Sequence, residues 1–311
     1  MQPLIEAVDR ALLMSELTKE RFVRHTNFAQ NEIYIVNAHN SPNVMREIGR
    51  LREMSFRQAG GGTGLEIDID EFDTMRQPYQ QLVVWNSSEQ EIIGGYRYIK
   101  LSEAKPEANG DFHIATSHMF NFTPRFIENY FPYTIELGRS FVQPKYQPAR
   151  ESRKGIFSLD NLWDGLGALM VDNPEMKYFF GKVTLYLSYD QEARDAILYF
   201  MMKFFPDNDK LVVPFAPKSF STDLAKLESI FNDGTYEENH NKLVKFVRSR
   251  NEVLPPLVNA YMNLSPTMKT FGSALNEEFG EVEEIGILVH LPDIYPSKKN
   301  RHINSYLNEI K

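Results

Sequence analysis

Apolar and polar residues follow helical and strand periods in turn along this chain. The segment from 41 to 62, SPNVMREIGRLREMSFRQAGGG, predicts a helix that has Ser41 as N-cap and Pro42 as its first residue, and that ends at the glycines. The acidic segment LEIDIDEFD that follows is predicted as a strand. QLVVWN and EIIGGYRYIK, separated by the polar turn NSSEQ, then predict an antiparallel hairpin.

The second half alternates strands and helices. Residues 133–142, YTIELGRSFV, and the later KYFFGKVTLYLS predict strands. Between and after them, SLDNLWDGLGALMVDN predicts a helix capped by Ser158 or Asp160, and YDQEARDAILYFMMKFF predicts another. Residues 206–252 predict a helical insertion, and LPPLVNAYMNL and EEIGILVHL a closing helix and strand. The fold class is therefore α/β (α+β): one domain, residues 1–311, with a mixed, mostly antiparallel sheet flanked by helices.

Composition narrows the functional classes. The net charge of −8 over 311 residues argues against a general nucleic-acid binder. The absence of cysteine excludes disulfides, thiolate catalysis and Cys-ligated metals, and the seven histidines show no metal-ligand spacing, so no metal is predicted. Residues 1–10 lack the apolar core of a signal peptide, and no apolar run approaches the roughly 18–20 residues of a membrane span. A cytoplasmic location is expected.

Two segments resemble functional sites, but each has a structural explanation that fits at least as well. QAGGGTG lacks the following Lys-Ser/Thr of a phosphate loop, so it predicts a helix stop and a turn. Asp68, Asp70 and Asp73 precede the hairpin, and at strand spacing Asp68 and Asp70 share a face. A solvated acidic edge is the simpler interpretation of these acids.

Charged residues inside predicted strands are the strongest candidates for functional residues. Arg97 lies in the otherwise apolar GGYRYIK, and Glu136 and Arg139 lie in ELGRS. Residues three apart point to opposite faces of a regular strand, but Gly138 between them allows a bulge that would break the alternation. An ordinary ion pair across the sheet is the alternative.

A basic segment follows the strand. Lys145, Arg150, Arg153 and Lys154 stand against Glu151, a local balance of 4 − 1 = +3 in an acidic chain. The segment is either a solvated loop or a docking site for an anionic partner.

Taken together and in order, RLREMSF, DIDEFD, VVWN…IIGGYR, ELGRSFVQPKY, LWDGLG, YFFGKVTLYLS and LPPLVNAYMNLSPTM resemble the ornithine-lipid type of N-acyltransferase, often described as hemolysin-like. That type belongs to the GCN5-related acetyltransferase (GNAT) superfamily. The resemblance covers roughly residues 40–200 and 250–292. It implies a GNAT-like fold and acyl transfer from a thioester to an amine.

The same segments are similar to acyl-homoserine-lactone synthases. The matching residues are Arg52 and Phe56 on the first helix, Asp70 and Asp73, Arg97, and the pair Glu136 and Arg139. Both families imply acyl carrier protein (ACP) as donor. The superfamily's pyrophosphate loop is absent after Val142, which favours acyl-phosphopantetheine on ACP over acyl-CoA. Asp68 stands where the synthases usually have Glu, and GRS replaces their SRF, which favours the lipid-type enzyme.

The resemblance also suggests roles. Glu136 is the expected base for the protonated amine, and burial would raise its pKa while Arg139 would lower it. Arg97 or Arg139 would bind the acceptor carboxylate, and a backbone N–H of Phe141 or Val142 the thioester oxygen. The basic segment would dock ACP. A groove for the acyl chain is available from aromatic side chains, which serve equally as core: Phe120, Phe122, Phe126, Tyr130 and Phe131.

We therefore expect transfer of a long, 3-hydroxylated acyl group from acyl-ACP to a small amino acid, with glycine and ornithine both open and no tightly bound cofactor. The product would be an N-acyl amino acid, a lyso-lipid that a partner O-acyltransferase completes. Attachment to the inner face of the cytoplasmic membrane stays open. The alternatives are an acyl-homoserine-lactone synthase and a non-catalytic module that binds ACP or acyl lipid.

Overall fold

The computed structural model of the protein describes residues 1–106, 112–147, 155 and 157–309. Its strands in these ranges are β1 (Phe22–His25), β2 (Glu32–Val36), β3 (Gln80–Asn86), β4 (Glu91–Lys100), β5 (Phe120–Phe122), β6 (Thr134–Val142), β7 (Tyr178–Leu185), β8 (Val212–Pro214), β9 (Lys269–Asn276) and β10 (Val282–His290). Its helices there are α1 (Arg10–Glu16), α2 (Pro42–Ala59), α3 (Glu71–Thr74), α4 (Pro124–Asn129), α5 (Ser158–Asp172), α6 (Gln191–Phe204), α7 (Leu224–Ile230), α8 (Tyr236–Ser249), α9 (Pro256–Met262), α10 (Pro296–Lys298) and α11 (Asn304–Glu309).

An eight-stranded sheet organises the fold, in the order β1-β2-β3-β4-β6-β7-β10-β9. Among its described pairs only β6 and β7 run parallel, so the predicted mixed and mostly antiparallel sheet is confirmed. The apolar face of α2 covers one side, where Ile48 and Leu51 pack with Val83 and Trp85 of β3. The other side packs against α5, α6, α8 and α9.

The sheet opens at its centre, between β6 and β7. The register of this pair runs from Thr134–Tyr178 to Leu137–Gly181, and no pairing is described beyond that point. From Gly138 onwards, one edge of β6 therefore faces an opening and not a neighbouring strand. Parallel strands whose ladder ends early leave backbone groups and side chains on both edges accessible to a ligand.

A β-bulge lies where the opening begins. β4 pairs through Arg97 with Gly138 and then through Gly95 with Phe141, so β6 has one extra residue over this step. Arg139 in the bulge has φ +47°, in the left-handed region. The bulge changes which face of the sheet the following side chains point to.

Most of the predicted elements are present in the structure. The first helix is α2, the hairpin is β3–β4, and the two later strands are β6 and β7. The following helix is α6, and the closing helix and strand are α9 and β10. The predicted glycine stop is confirmed, because Gly60 ends α2 with φ +98°. Residues 206–252 contain β8, α7 and α8. No helix of the described residues is both long and apolar enough to cross a membrane.

Two local predictions were wrong. LEIDIDEFD is not a strand: its last residues form α3, because the side chains of Asp70 and Asp73 each accept a hydrogen bond from the other's backbone N–H and close a capping box. Neither Ser158 nor Asp160 caps α5, since Phe157 holds the N-cap position. The Ser158 hydroxyl instead donates to the Tyr146 carbonyl over 2.8 Å.

Candidate active site

A charge cluster lies between α2, the segment before β3 and the α2 face of the sheet. Its members come from four parts of the chain that the fold brings together: Arg52, Asp68, Asp70, Asp73, Arg97 and Arg139. Asp68 and Asp73 are almost completely buried, which excludes the solvated acidic edge as an explanation of these two.

Arg97 occupies the centre of the charge cluster. Its Nη1 donates to both carboxylate oxygens of Asp70 over 2.6 Å and to Oδ2 of Asp73 over 3.2 Å. Its guanidinium carbon lies 5.2 Å from the ring centre of Tyr79. Burial alone would lower the pKa of Arg97, but Asp73 and Asp70 raise it above its ordinary value. Arg97 therefore remains charged and holds the two acids in place.

Arg52 binds the same acid from the helix side. Its Nη1 donates to Asp73 Oδ2 over 3.1 Å, and its Nη2 donates to Oε1 of Gln81 on β3. Burial would raise the pKa of Asp73, yet the charges of Arg52 and Arg97 hold that pKa well below its ordinary range. The pair Arg52–Asp73 thus fixes α2 against the sheet at the level of the bulge.

Arg139 extends the charge cluster toward the opening. Its Nε lies 3.0 Å from Oδ2 of Asp68, and its Nη2 lies 3.6 Å from Oδ2 of Asp70. The contact with Asp68 is an ion pair without hydrogen-bond alignment, so the buried Asp68 oxygens have no hydrogen-bond donor among the described residues. Burial accordingly raises the pKa of Asp68, against the opposing charge of Arg139.

Glu136 lies on the same face of the sheet as the charge cluster, and the side chain of Tyr79 connects it to Arg97. Its Oε2 accepts a hydrogen bond from the Tyr79 hydroxyl, which in turn accepts from the backbone N–H of Ala115 over 2.9 Å. Burial raises the pKa of Glu136, and Tyr79 and Arg97 only partly offset it. The expected effect of burial on this pKa is thus present, whereas the positive charges that oppose it are those of Arg97 and Lys182.

A cavity of about 450 Å³ occupies the opening between β6 and β7. Three of the predicted substrate-binding residues, Phe56, Phe141 and Val142, line it, and so does Arg139. Its size lies within the range of small-ligand sites, and a Cβ on Gly138 would meet no atom within 4 Å. Gly138 therefore leaves space for a ligand where the opening begins.

The two ends of the cavity differ in chemistry. On the side of α5 and α9 the lining is apolar, with Leu159, Leu257, Val258, Ile287 and Val289. On the α2 side the described charged lining residues are Arg139, Lys182 and Glu284. A long apolar group would fit the first end and a small charged group the second.

Sequence reasoning missed Lys182 and Glu284. Lys182 on β7 forms an ion pair with Glu284 on β10, and its Nζ lies 3.5 Å from the sulfur of Met119. Both residues stand in strands predicted from apolar runs, and a charge inside such a run was the available signal, as it was for Arg97. The neighbouring Lys182 also contributes to lowering the pKa of His118, after burial as the main cause.

The structure separates some of the other predicted residues from the cavity. Glu136, Arg97, Arg52, Asp70 and Asp73 are not among its lining residues. The aromatic side chains proposed as an acyl groove pack as core on the α2 face, with Phe120 and Phe126 both against Phe180. Phe120 and Phe122 line a second cavity of about 390 Å³.

The predicted docking segment falls mostly on Arg150, Arg153 and Lys154, which lie outside the described residues. Lys145 is described, and its Nζ lies 2.6 Å from Glu91 and 3.4 Å from Glu89. Lys145 therefore already has two carboxylate partners within the protein.

Comparison with known proteins relates the chain to one class of enzyme. The acetyltransferase (GNAT) domain family matches residues 51–153. The glycine N(alpha)-acyltransferase of Bacteroides thetaiotaomicron is 52% identical over 99% of this chain and 91% of its own length. The glycine N(alpha)-acyltransferase of Phocaeicola vulgatus is 51% identical over 99% of this chain and 95% of its own length.

Two solved structures are more distant. FeeM, an N-acyl amino acid synthase from uncultured soil microbes, is 11% identical and covers 89% of this chain and 96% of its own, with a TM-score of 0.41. The CoA-dependent acyl-homoserine lactone synthase BjaI is 12% identical and covers 90% of this chain and 89% of its own, with a TM-score of 0.37.

Proposed function

This chain belongs to the family of the glycine N(alpha)-acyltransferases, and we propose that it transfers a long 3-hydroxyacyl group from acyl carrier protein to the amine of glycine. It is an N-acyltransferase with a GNAT domain. The product of the proposed reaction is an N-acylglycine, a single-chain lipid. The observation that carries the proposal is the two-ended cavity at the opening between β6 and β7.

The apolar end supports a long acyl donor. Its walls are aliphatic and aromatic side chains from β7, β10, α5 and α9, and a hydrocarbon chain there gains about 0.8 kcal/mol per buried CH₂. The thioester would then lie beside Gly138, where the unpaired edge of β6 begins. The donor to the thioester oxygen, expected to be a backbone N–H of Phe141 or Val142, is proposed to be that of Val142, because the N–H of Gln143 bonds to Ile93 of β4 and successive N–H groups alternate between the two edges of a strand.

Hydroxyl groups at the cavity wall support a hydroxylated chain. Tyr96, Ser140 and Tyr261 all line the cavity, so three hydroxyl-bearing side chains lie at its wall. A buried hydroxyl that faces an apolar ligand wastes a hydrogen-bonding group. A 3-hydroxyl on the acyl chain, two carbons from the carbonyl, would use it.

The charged end supports a small zwitterionic acceptor. Arg139 is held by Asp68 and Asp70, so it provides a fixed positive charge at the edge of the cavity. Arg97, in the proposal, acts through Asp70 and orients Arg139 without touching the substrate. The names of the two relatives support glycine over ornithine in this proposal.

Donor identity and location extend the proposal. Lys145 and the basic residues Arg150, Arg153 and Lys154 are proposed to meet the acidic surface of ACP, and ACP is proposed over CoA as the carrier. A partner O-acyltransferase would consume the N-acylglycine. The enzyme is proposed to act in the cytoplasm, at or near the membrane that receives the product.

Lipid mass spectrometry on a host without aminolipids, with and without this gene, tests the reaction. We expect a new N-(3-hydroxyacyl)glycine in the expressing strain. In vitro, purified enzyme should acylate glycine with 3-hydroxyacyl-ACP faster than with the matching acyl-CoA. An acyl-homoserine lactone as the product, or ACP binding without turnover in the presence of glycine, would contradict the proposal and favour one of the two alternatives.

A further inference from the structure

Glu284 and Lys182 form a buried ion pair at the charged end of the cavity. Glu284 is 2% exposed, and its Oε1 accepts a hydrogen bond from the Thr184 hydroxyl over 3.3 Å. The described polar partners of Lys182 are Glu284 and the weakly accepting sulfur of Met119, although an ammonium group has three donors. Lys182 therefore retains donor capacity toward the cavity.

Taking two charges out of water costs several kcal/mol per ion. This pair is not needed to join two parts of the chain, because β7 and β10 already share eight consecutive register positions from Tyr178–His290 to Leu185–Glu283. The ion pair is therefore not what holds the two strands together. Because it lies at the wall of a cavity of substrate size, it points to a ligand that carries both a positive and a negative charge. An amino acid carries an ammonium and a carboxylate group.

Glu284 is also better placed than Glu136 to meet an acceptor. Glu284 lines the cavity, whereas Glu136 does not, and one oxygen of Glu136 is already bound to Tyr79. Lys182 lies on β7, the strand between β6, which carries Glu136, and β10, which carries Glu284, and it contacts Glu284 directly.

We propose that Glu284 and Lys182 are the acceptor site: Glu284 binds the ammonium group of the amino acid and takes its proton, and Lys182 binds its carboxylate. This inference rests on the proposed function and adds the residues that recognise the amine substrate.

The proton and bond changes balance as follows. The ammonium nitrogen gives one proton to the Glu284 carboxylate, and its lone pair forms a C–N bond at the thioester carbon. The tetrahedral oxyanion collapses, the C–S bond breaks, and the leaving sulfur takes the second proton from the nitrogen. Glu284 then releases its proton to solvent, which leaves an amide, a thiol and one free proton.

The test compares Glu284→Gln with Glu283→Gln, the adjacent residue of the same strand. Glu283 is equally buried and ion-paired, but it points to the other face, where Arg194 and Lys218 bind it over 2.7 and 2.9 Å. We expect Glu284→Gln to lower kcat/KM for glycine by about 10²-fold or more and to regain rate at high pH, where more glycine is already deprotonated. Glu283→Gln, judged folded by circular dichroism, should keep kcat/KM within threefold.

Lys182→Met gives an independent readout. The wild type should prefer glycine over glycinamide, which has the amine without the carboxylate, and Lys182→Met should lose at least tenfold of that preference, mainly through KM. If Glu284→Gln does not fold, the preference for glycine over glycinamide in Lys182→Met tests the inference by itself. An unchanged preference in Lys182→Met, or a folded Glu284→Gln with wild-type kcat/KM, overturns the inference. A wild type that acylates no amino acid refutes the proposed function instead.

Discussion

Glu136 and Arg139 lie on the same face of β6, although three residues separate them and a regular strand would turn them to opposite faces. Glu136 binds Tyr79, Arg139 contacts Asp70, and both Tyr79 and Asp70 lie against Arg97. The extra residue in β6 and the left-handed backbone of Arg139 reverse the alternation between them. The bulge thus carries Arg139 to the edge of the cavity while Glu136 stays behind it.

The ion pair of Arg139 with Asp68 yields the first prediction. Arg139→Asn keeps a residue type that tolerates the left-handed backbone but removes the charge that faces Asp68. We expect a loss of about 3 kcal/mol in the free energy of unfolding, because a buried carboxylate loses its partner. Urea unfolding measures it.

The control for this prediction is the double variant Arg139→Asn/Asp68→Asn. Neutralising both partners should recover a coupling energy of about 1–3 kcal/mol relative to the sum of the single changes. Strictly additive losses would show that the pair does not interact.

Gly138 yields the second prediction. A side chain here meets no atom within 4 Å and points into open space, so Gly138→Val should leave the melting temperature within a few degrees of the wild type. The valine methyl groups would occupy the place of the thioester, and we expect activity to fall by about tenfold or more because small misplacements of a reacting group are costly. Acyl transfer to glycine and a thermal melt check both parts.

Gly181 is the matched control on the opposite strand. A Cβ there would lie 2.6 Å from the Leu137 carbonyl oxygen, so Gly181→Ala should lower the melting temperature as well as the activity. Full activity in Gly138→Val would show that the acyl donor does not pass through the opening.

Glu136 yields a prediction about pH. Burial raises its pKa in the folded state above the unfolded value of about 4.3, so the unfolded carboxyl loses its proton first as the pH rises. The contribution of Glu136 to stability is therefore present below about pH 4.3 and declines as the pH rises through the folded pKa. Glu136→Gln does not titrate, so its stability relative to the wild type should increase from pH 4 to pH 7.

Denaturation midpoints of the wild type and Glu136→Gln at a series of pH values measure this difference. Because Asp68 titrates in both proteins, its own raised pKa cancels in the comparison. A difference that is constant with pH would mean that Glu136 has the same pKa folded and unfolded.

The hydroxyl group of Tyr96 yields the fourth prediction. Tyr96→Phe keeps the ring in the core and removes a polar group from the cavity wall. We expect the preference for 3-hydroxyacyl-ACP over the unsubstituted acyl-ACP of equal length to fall by about fivefold to tenfold, the worth of one hydrogen bond. A competition assay with both donors measures the ratio, and Tyr98→Phe, whose side chain does not line the cavity, is the control.

The sequence by itself determined the elements whose signals are local. Ser41, Pro42 and Gly60 bound α2, the NSSEQ turn bounds the hairpin, and alternating or continuous apolar runs mark β6, β7 and β10. It also drew attention to Arg97, Glu136 and Arg139 as charges inside predicted strands, because a charge inside a strand must find a partner once the strand is buried. The order of these segments was enough to indicate the family.

Only the tertiary structure decided how the charges are distributed about the cavity. Which face Arg139 points to depends on a bulge that exists only because β6 pairs with β4, and the early end of the β6–β7 pairing opens the cavity. Lys182 and Glu284 lie about a hundred residues apart in the sequence and meet only through the register of β7 with β10. Long-range pairing sets these relationships, and no local pattern of residues encodes them.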